Sequence, residues 1–450
     1  MDMNKLRSRY WISLFVFVSI ATLGCRSKKA ASPDPANESQ SETPLIFEPQ
    51  TYEATADELL SARLAPTETS EGWIRLFDGH TLFGWEIAGN ANWKVEDQTI
   101  TVDKGDICLV CTSIPWANYE LTLEFNADEQ SNSGIFLRTP LQVEEPKFEC
   151  YEVNIAGDDH PFPTGSIVER EKVSGDAPKQ TFGQWRRMTM RMEGNHLQVS
   201  LDDKIVTDYT DPIGLPAGRI GLQHNQGRVA FRDIRLRPLG LKSLLDEELS
   251  MWKQYPEMDA EFTVADDGAM QVKGGSGQIE TTESYDDFVL LAEYKLPKPE
   301  INSGIFFRCI PGDKMMGYEC QVSNAMLNDL PLSPADCGTG GIFRRQDARV
   351  VAGEPDKWAT VVLAAHGPKI AAWVEGVQVS NWQDDREENE NPRKGKRLAP
   401  GTIIIQGHDE TTDALFKQIA IATPVIPTPV IDTSVIDNEN GEDETNQGDQ

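Results

Sequence analysis

The chain has 450 residues and a formal net charge of −30. An acidic balance of that size repels phosphate backbones and excludes nucleic acid as a partner. With 39% hydrophobic and 8% aromatic residues the chain can bury sizeable cores, enough for two or three domains.

At the N-terminus, Lys5, Arg7 and Arg9 precede the apolar run WISLFVFVSIATLG, which ends at Cys25. A basic n-region, a short h-region and a small residue before the break read as a secretory signal over residues 1–25, too short for a comfortable membrane span. Cys25 after ATLG resembles a bacterial lipobox, with Leu23 one place later than the usual leucine. That predicts a lipid anchor at Cys25 and an exported, membrane-tethered protein, periplasmic or at the cell surface; ordinary signal cleavage beside an incidental cysteine is the alternative. Residues 26–71 are rich in Ser, Pro, Glu, Ala and Thr and read as a flexible linker. Residues 424–450 are proline-rich, then acidic, and are expected to be disordered.

Between these ends the chain duplicates itself. NSGIFLR at Asn132 returns as NSGIFFR at Asn302, 170 positions later. YEVNI at Tyr151 pairs with YECQV at Tyr318, TGSIVER at Thr164 with TGGIFRR at Thr339, Trp185 with Trp358, and AGRIGLQHN at Ala217 with PGTIIIQGH at Pro400. A repeat this long is a whole domain, so two homologous domains are expected at residues 72–238 and 241–423. Within each the periodicity is two, as in YELTLEF from Tyr119 and RMTMRM from Arg187. Asp202–Lys204 and Glu375–Val377 are tight-turn signals between paired strands. The GGSG at Gly274 reads as a hairpin turn, since no helix follows to make it a phosphate loop. No segment is convincingly helical; Leu241–Trp252 comes nearest. The fold class is all-β, a pair of β-sandwich or jelly-roll domains.

Alternation puts Asn132, Gly134, Phe136 and Arg138 on one face of a strand, and likewise Asn302, Gly304, Phe306 and Arg308. On the next strand Glu152 and Asn154, or Glu319 and Gln321, share the polar side. If the two strands are antiparallel neighbours, each arginine meets its glutamate on a face with an aromatic floor, and a glycine there lets a ligand approach the backbone. Such a face suits a sugar; a structural Arg–Glu pair on a solvated surface is the alternative. Cys309 and Cys320 are expected on the opposite, buried face, as a bridge or as core residues. Cys108 and Cys111 form a lone CxxC whose members point to opposite faces of a strand, which suits neither zinc nor a bridge. The tryptophans read as core, and the run DDREENENPRKGKR from Asp384, absent from the first domain, as an exposed loop at the rim of the second site.

GWIRLFDGHTLFGWE at Gly72, NSGIFLR, YEVNI, PTGSIV, FGQWRRMTMRMEGNHLQVSLDDK and GRIGLQHNQGRVAFRDIRL resemble the 3-keto-disaccharide hydrolase domain family, in order and over nearly all of the first domain. The second keeps NSGIFFR, GYECQ, TGGIFRR and QGH but departs at its start. The resemblance implies a concanavalin-like jelly roll with its ligand on the concave sheet, acting on glycosides oxidised at C3. It places Glu152, Glu319, Arg138 and Arg308 at family positions and makes Gln223 and Gln406 the family's late glutamine. The family's following histidine becomes His224 or His408, with His224 one place early in QHN and able to face the other way. Catalytic roles are therefore expected for Arg138, Glu152, His224, Arg308, Glu319 and His408, and substrate contacts for Asn132, Asn154, Gln223, Asn302, Gln321 and Gln406. A divalent metal remains open, since no ligand spacing fixes it. The competing readings are a non-catalytic carbohydrate-binding surface lipoprotein and a structural spacer.

Overall fold

The computed structural model describes residues 46–48 and 52–424. The signal segment with Cys25, most of the linker and nearly all of the acidic tail lie outside the described residues. Among those described, no helix is long and apolar enough to cross a membrane.

Each repeat is a two-layer β-sandwich of one eight-stranded and one five-stranded sheet. The five-stranded sheet of the first domain is made of β1 (Trp85–Ala88), β2 (Cys108–Thr112), β3 (Ser133–Thr139), β4 (Tyr151–Ile155) and β5 (Arg219–His224), in the order β1-β2-β5-β3-β4. The second domain repeats it with β6 (Trp252–Gln254), β7 (Gly277–Thr281), β8 (Ser303–Cys309), β9 (Tyr318–Val322) and β10 (Thr402–Gly407), in the order β6-β7-β10-β8-β9. All these pairings are antiparallel. Alternation carries Ile135, Leu137, Tyr151, Val153, Ile220 and Leu222 into the first core, and Ile305, Phe307, Tyr318, Cys320, Ile403 and Ile405 into the second.

The expected tight turns are present. Asp202 and Asp203 have φ of 48° and 66°, and Glu375 and Gly376 have 51° and 80°, the paired left-handed residues of a hairpin turn matched to strand twist. The Gly274 segment is a correction. It leads from strand Met270–Lys273 in the eight-stranded sheet to β7 in the other sheet, so it crosses between layers and closes no hairpin. The linker is also shorter than composition predicts. Thr55 caps α1 (Ala56–Ser61) in a capping box with Glu58, and Pro66 opens α2 (Pro66–Ser70). Leu59 and Ala62 then bury in the second domain's core, which offsets the entropy of ordering a polar segment.

The two domains pack tightly. In the second domain's eight-stranded sheet, Leu290, Val361, Leu363, Ile370 and Ala372 face its own core. The alternate residues Leu291, Val362, Ala364, Ala371 and Trp373 join the first domain's cluster instead. Trp116 and Trp373 have ring centroids 5.6 Å apart, and the Trp373 indole donates to the Arg75 carbonyl at 3.0 Å. Arg349 crosses the interface to Asp78 at 2.9 Å and lies over the Phe83 ring, and Lys369 reaches Glu86. The corresponding face of the first domain stays wet, with Glu120, Thr122 and Glu124 half-exposed between buried Leu121, Leu123 and Phe125.

Candidate functional site

The outer face of each five-stranded sheet carries a small apolar floor. In the first domain it is Leu109, Cys111, Phe136 and Cys150; in the second, Phe306, Cys309, Met315 and Ile404. Register brings the edge-strand glutamate over this floor, since Phe136 lies opposite Glu152 and Phe306 opposite Glu319. Gly134 and Gly304 sit one pleat along, where a Cβ at Gly304 would come 3.0 Å from Glu319 Oε1 and 3.1 Å from Gln406 Oε1. The two acceptors therefore converge above a bare patch of backbone. Gln223 and Gln406 are buried, and the Oε1 of each has no hydrogen-bond partner. An unpartnered buried acceptor is costly, and Gln223 also lines a cavity.

Burial pushes the Glu152 carboxyl up to about 7, with the Gln223 side chain pulling it down through a hydrogen bond and Glu169 pushing it further up. Burial likewise pushes Glu319 up to about 7, against Arg393 and Arg344, which favour the ionised form, and with Asp336, which opposes it. Desolvation of a carboxylate at the edge of an apolar floor is the common cause.

The arginines do not join them. Arg138 and Arg308 have φ of 52° and 49°, each at a register shift where strand β3 or β8 meets β5 or β10. The bulge inverts the alternation beyond it, so both side chains turn to the core side. Arg138 donates to the carbonyls of Ala117 and Leu215 at 2.7 and 2.6 Å and to Asn118. Arg308 donates to the carbonyls of Asp286 and Gly367 at 2.8 and 2.7 Å and to Asp287 at 3.0 Å. A Cβ at Gly218 or Gly401 would collide with the bulged backbone, which accounts for glycine at both positions. The expected Arg–Glu pairing is thus corrected in both domains. The same bulge moves Cys309 onto the outer floor while Cys320 stays in the core; all six described cysteines are free and buried.

The histidines also stand apart. His224 follows Gln223 on β5 and faces the other way, with Nδ1 at 3.1 Å from the Asp106 carbonyl and a buried Nε2 without a partner. His408 lies just past β10, exposed, with Nδ1 at 2.8 Å from Asp409. Among the amides, Asn154 donates to the Phe162 carbonyl, whereas Asn302 and Gln321 both donate to Asp336, at 2.7 and 3.1 Å. Asn132 is half-buried, and its backbone bridges Gln226. No group of three or more His, Cys, Asp or Glu side chains among the described residues comes together in a way that could hold a metal ion.

Several residues escape sequence reasoning. Arg344, Arg345 and Arg393 line a cavity of about 200 Å³ with Tyr318, Glu319 and Phe343, so the inserted loop does reach the second site. Glu280 is buried on β7, accepting from Thr402 Oγ1 at 2.6 Å, the Gly312 amide at 3.0 Å and the Tyr255 hydroxyl. With Gln278, whose Oε1 accepts from the Met315 amide at 2.7 Å, it ties the 310–317 loop over the sheet. The first domain has Leu109 and Cys111 at the aligned positions and an open cavity of about 270 Å³ beside Phe136 and Gln223. Neither cavity draws lining residues from the other domain. The sequence signals for these differences were the inserted run from Asp384 and the mismatch between paired motifs, such as TGSIVER against TGGIFRR.

A doubled β-sandwich with a high-pKa carboxyl over an apolar sheet face is the build of a carbohydrate-active protein. The 3-keto-alpha-glucoside-1,2-lyase-like domain matches residues 72–237 and again 240–422, so the chain belongs to that family in two tandem copies. No curated protein sequence matches it significantly. Among solved structures, one described as a "putative glycosyl hydrolase" from Parabacteroides distasonis is 17% identical, with 40% of this chain and 99% of that one covered and a TM-score of 0.36. A second of the same description and organism is 24% identical over 37% and 99%, with a TM-score of 0.31. The carbohydrate binding module CBM66 from Bacillus subtilis is 14% identical over 34% and 95%, with a TM-score of 0.27.

Proposed function

We propose that the protein cleaves glycosides oxidised at C3, by elimination and rehydration, and that Glu319 is the principal base. A ketone at C3 acidifies the C2 hydrogen. The carboxylate removes that proton, the enolate expels the C1 substituent, and water adds across the resulting double bond to give net hydrolysis. A base for this step works best with a pKa near the working pH, and the observation that carries the reading is the Glu319 carboxyl held near 7 at the wall of a cavity that Arg344 and Arg393 also line. Arg393, which already favours its ionised form, supplies positive charge where the enolate oxygen develops. Glu152 has the same placement without a basic neighbour, with Glu169 opposing its ionisation, which supports a weaker or purely binding role for the first domain. The N-terminal run and Cys25 support an exported, lipid-anchored protein.

The test is release of monosaccharide from a 3-keto-disaccharide by the purified full chain. Turnover is expected to fall about 10²–10⁴-fold in Glu319→Gln and far less in Glu152→Gln. Saturable sugar binding with no turnover in the unaltered protein would replace this reading with a lectin-like one.

A further inference from the structure

From the cavity beside Glu319 we infer that the second domain takes a saccharide carrying an anionic substituent, a carboxylate or a sulfate ester, held by Arg344 and Arg345. This rests on reading the Glu319 face as a saccharide site.

Arg344, Arg345 and Arg393 converge on one cavity with Glu319. In a chain with 72 acidic residues against 42 basic ones, such a cluster would ordinarily collect carboxylate partners. None of the three makes an ion pair among the described residues. Arg344 lies over the Phe343 ring. Arg345 donates to the carbonyls of Arg344 and Arg393 at 3.3 and 3.1 Å, and Arg393 to that of Met315 at 2.7 Å. The nearby Asp384 is already taken, accepting from Tyr318 and Arg386 at 2.7 Å each. Guanidinium groups fixed by carbonyls at a cavity wall keep their remaining donors free for a planar or tetrahedral anion.

The first domain shows how the cluster arose. There Tyr151 donates to Asp211 at 2.9 Å, and the arginine on Asp211 is Arg170. Arg170 aligns with Arg345 in the paired motifs. In the second domain Arg386, from the inserted loop, takes over that structural role, and Arg345 is released to the cavity. Glu169 aligns with Arg344, and both adopt the left-handed backbone, with φ of 58° and 60°. The position therefore projects alike in both domains but carries opposite charge. Arg393 has no counterpart in the first domain. One sheet face is built to attract an anion and the other to refuse it.

The experiment measures calorimetric binding to the full-length Glu319→Gln protein, which separates binding from turnover. The probes are glucuronate, glucose 6-sulfate and glucose. Both anionic sugars, or one of them, are expected to bind at least tenfold more tightly than glucose, with the advantage shrinking as salt rises. A preference for one anion identifies the substituent. Adding Arg344→Glu, which copies the first domain, or Arg345→Gln should erase the advantage. Arg344→Lys should retain part of it, and an unchanged thermal transition shows that the fold is intact. Equal binding of glucose, or an advantage that survives Arg344→Glu, overturns the inference. Cleavage of neutral 3-keto-disaccharides without anion preference would defeat it while leaving the proposed reaction standing. Anion-selective binding in a protein with no such cleavage would do the reverse.

Discussion

Replacing Glu319 by glutamine should stabilise the protein, and only above a defined pH. In the folded chain burial raises this carboxyl from the ordinary 4.5 to about 7. Between those values the native state holds a proton that the unfolded chain has released, so stability falls as pH rises across the window and levels off above 7. A shift of about 2.5 units at 1.36 kcal/mol each corresponds to about 3 kcal/mol of native-state cost, fully present at pH 8 and absent below pH 4.5. Glutamine keeps the shape and removes the titration. Urea unfolding of the unaltered protein and Glu319→Gln should therefore diverge with pH, the variant gaining up to about 3 kcal/mol at pH 8 and little at pH 4.5. A difference that does not change with pH would refute the burial argument and, with it, the assignment of Glu319 as a base poised near neutrality.

Arg308→Met should cost about 1–3 kcal/mol in chemical unfolding, because it removes the buried guanidinium that binds the carbonyls of Asp286 and Gly367 and the Asp287 carboxylate; loss of turnover with unchanged stability would instead restore the guanidinium to the active face. Gly304→Ala should leave the unfolding midpoint almost in place yet lower kcat/KM at least tenfold, since the methyl group would sit 3.0 Å from Glu319 Oε1 and 3.1 Å from Gln406 Oε1; undiminished cleavage would mean that substrate does not approach the backbone there.

What the sequence disclosed follows from strict periodicity. Two-residue alternation and an offset of 170 define both sandwiches, their antiparallel edge strands and the outward placement of Glu152 and Glu319. Alternation fails two residues past Phe136 and Phe306. A bulge adds a residue without changing composition, and no pattern in NSGIFLR announces that Arg138 takes a left-handed backbone. His224 was legible as the odd histidine, one step from the family spacing, and it does face away from Gln223. The ordering of residues 52–70 was hidden because a polar segment becomes helical only when another domain offers a groove for Leu59 and Ala62. The arginine cavity was hidden for a related reason: Arg345 changes its duty only because Arg386, forty-one positions away, takes over Asp384.

The interface formed by Leu291, Val362, Ala364, Ala371 and Trp373 makes the duplication lopsided. Cut free, the C-terminal half would bare an oily, flat β-surface of the kind that clumps in water. Its N-terminal sibling keeps a charged, water-compatible back on the same layer. Ancestry gave the pair matching blueprints, yet only the C-terminal half leans on its sibling to shield the back of this layer.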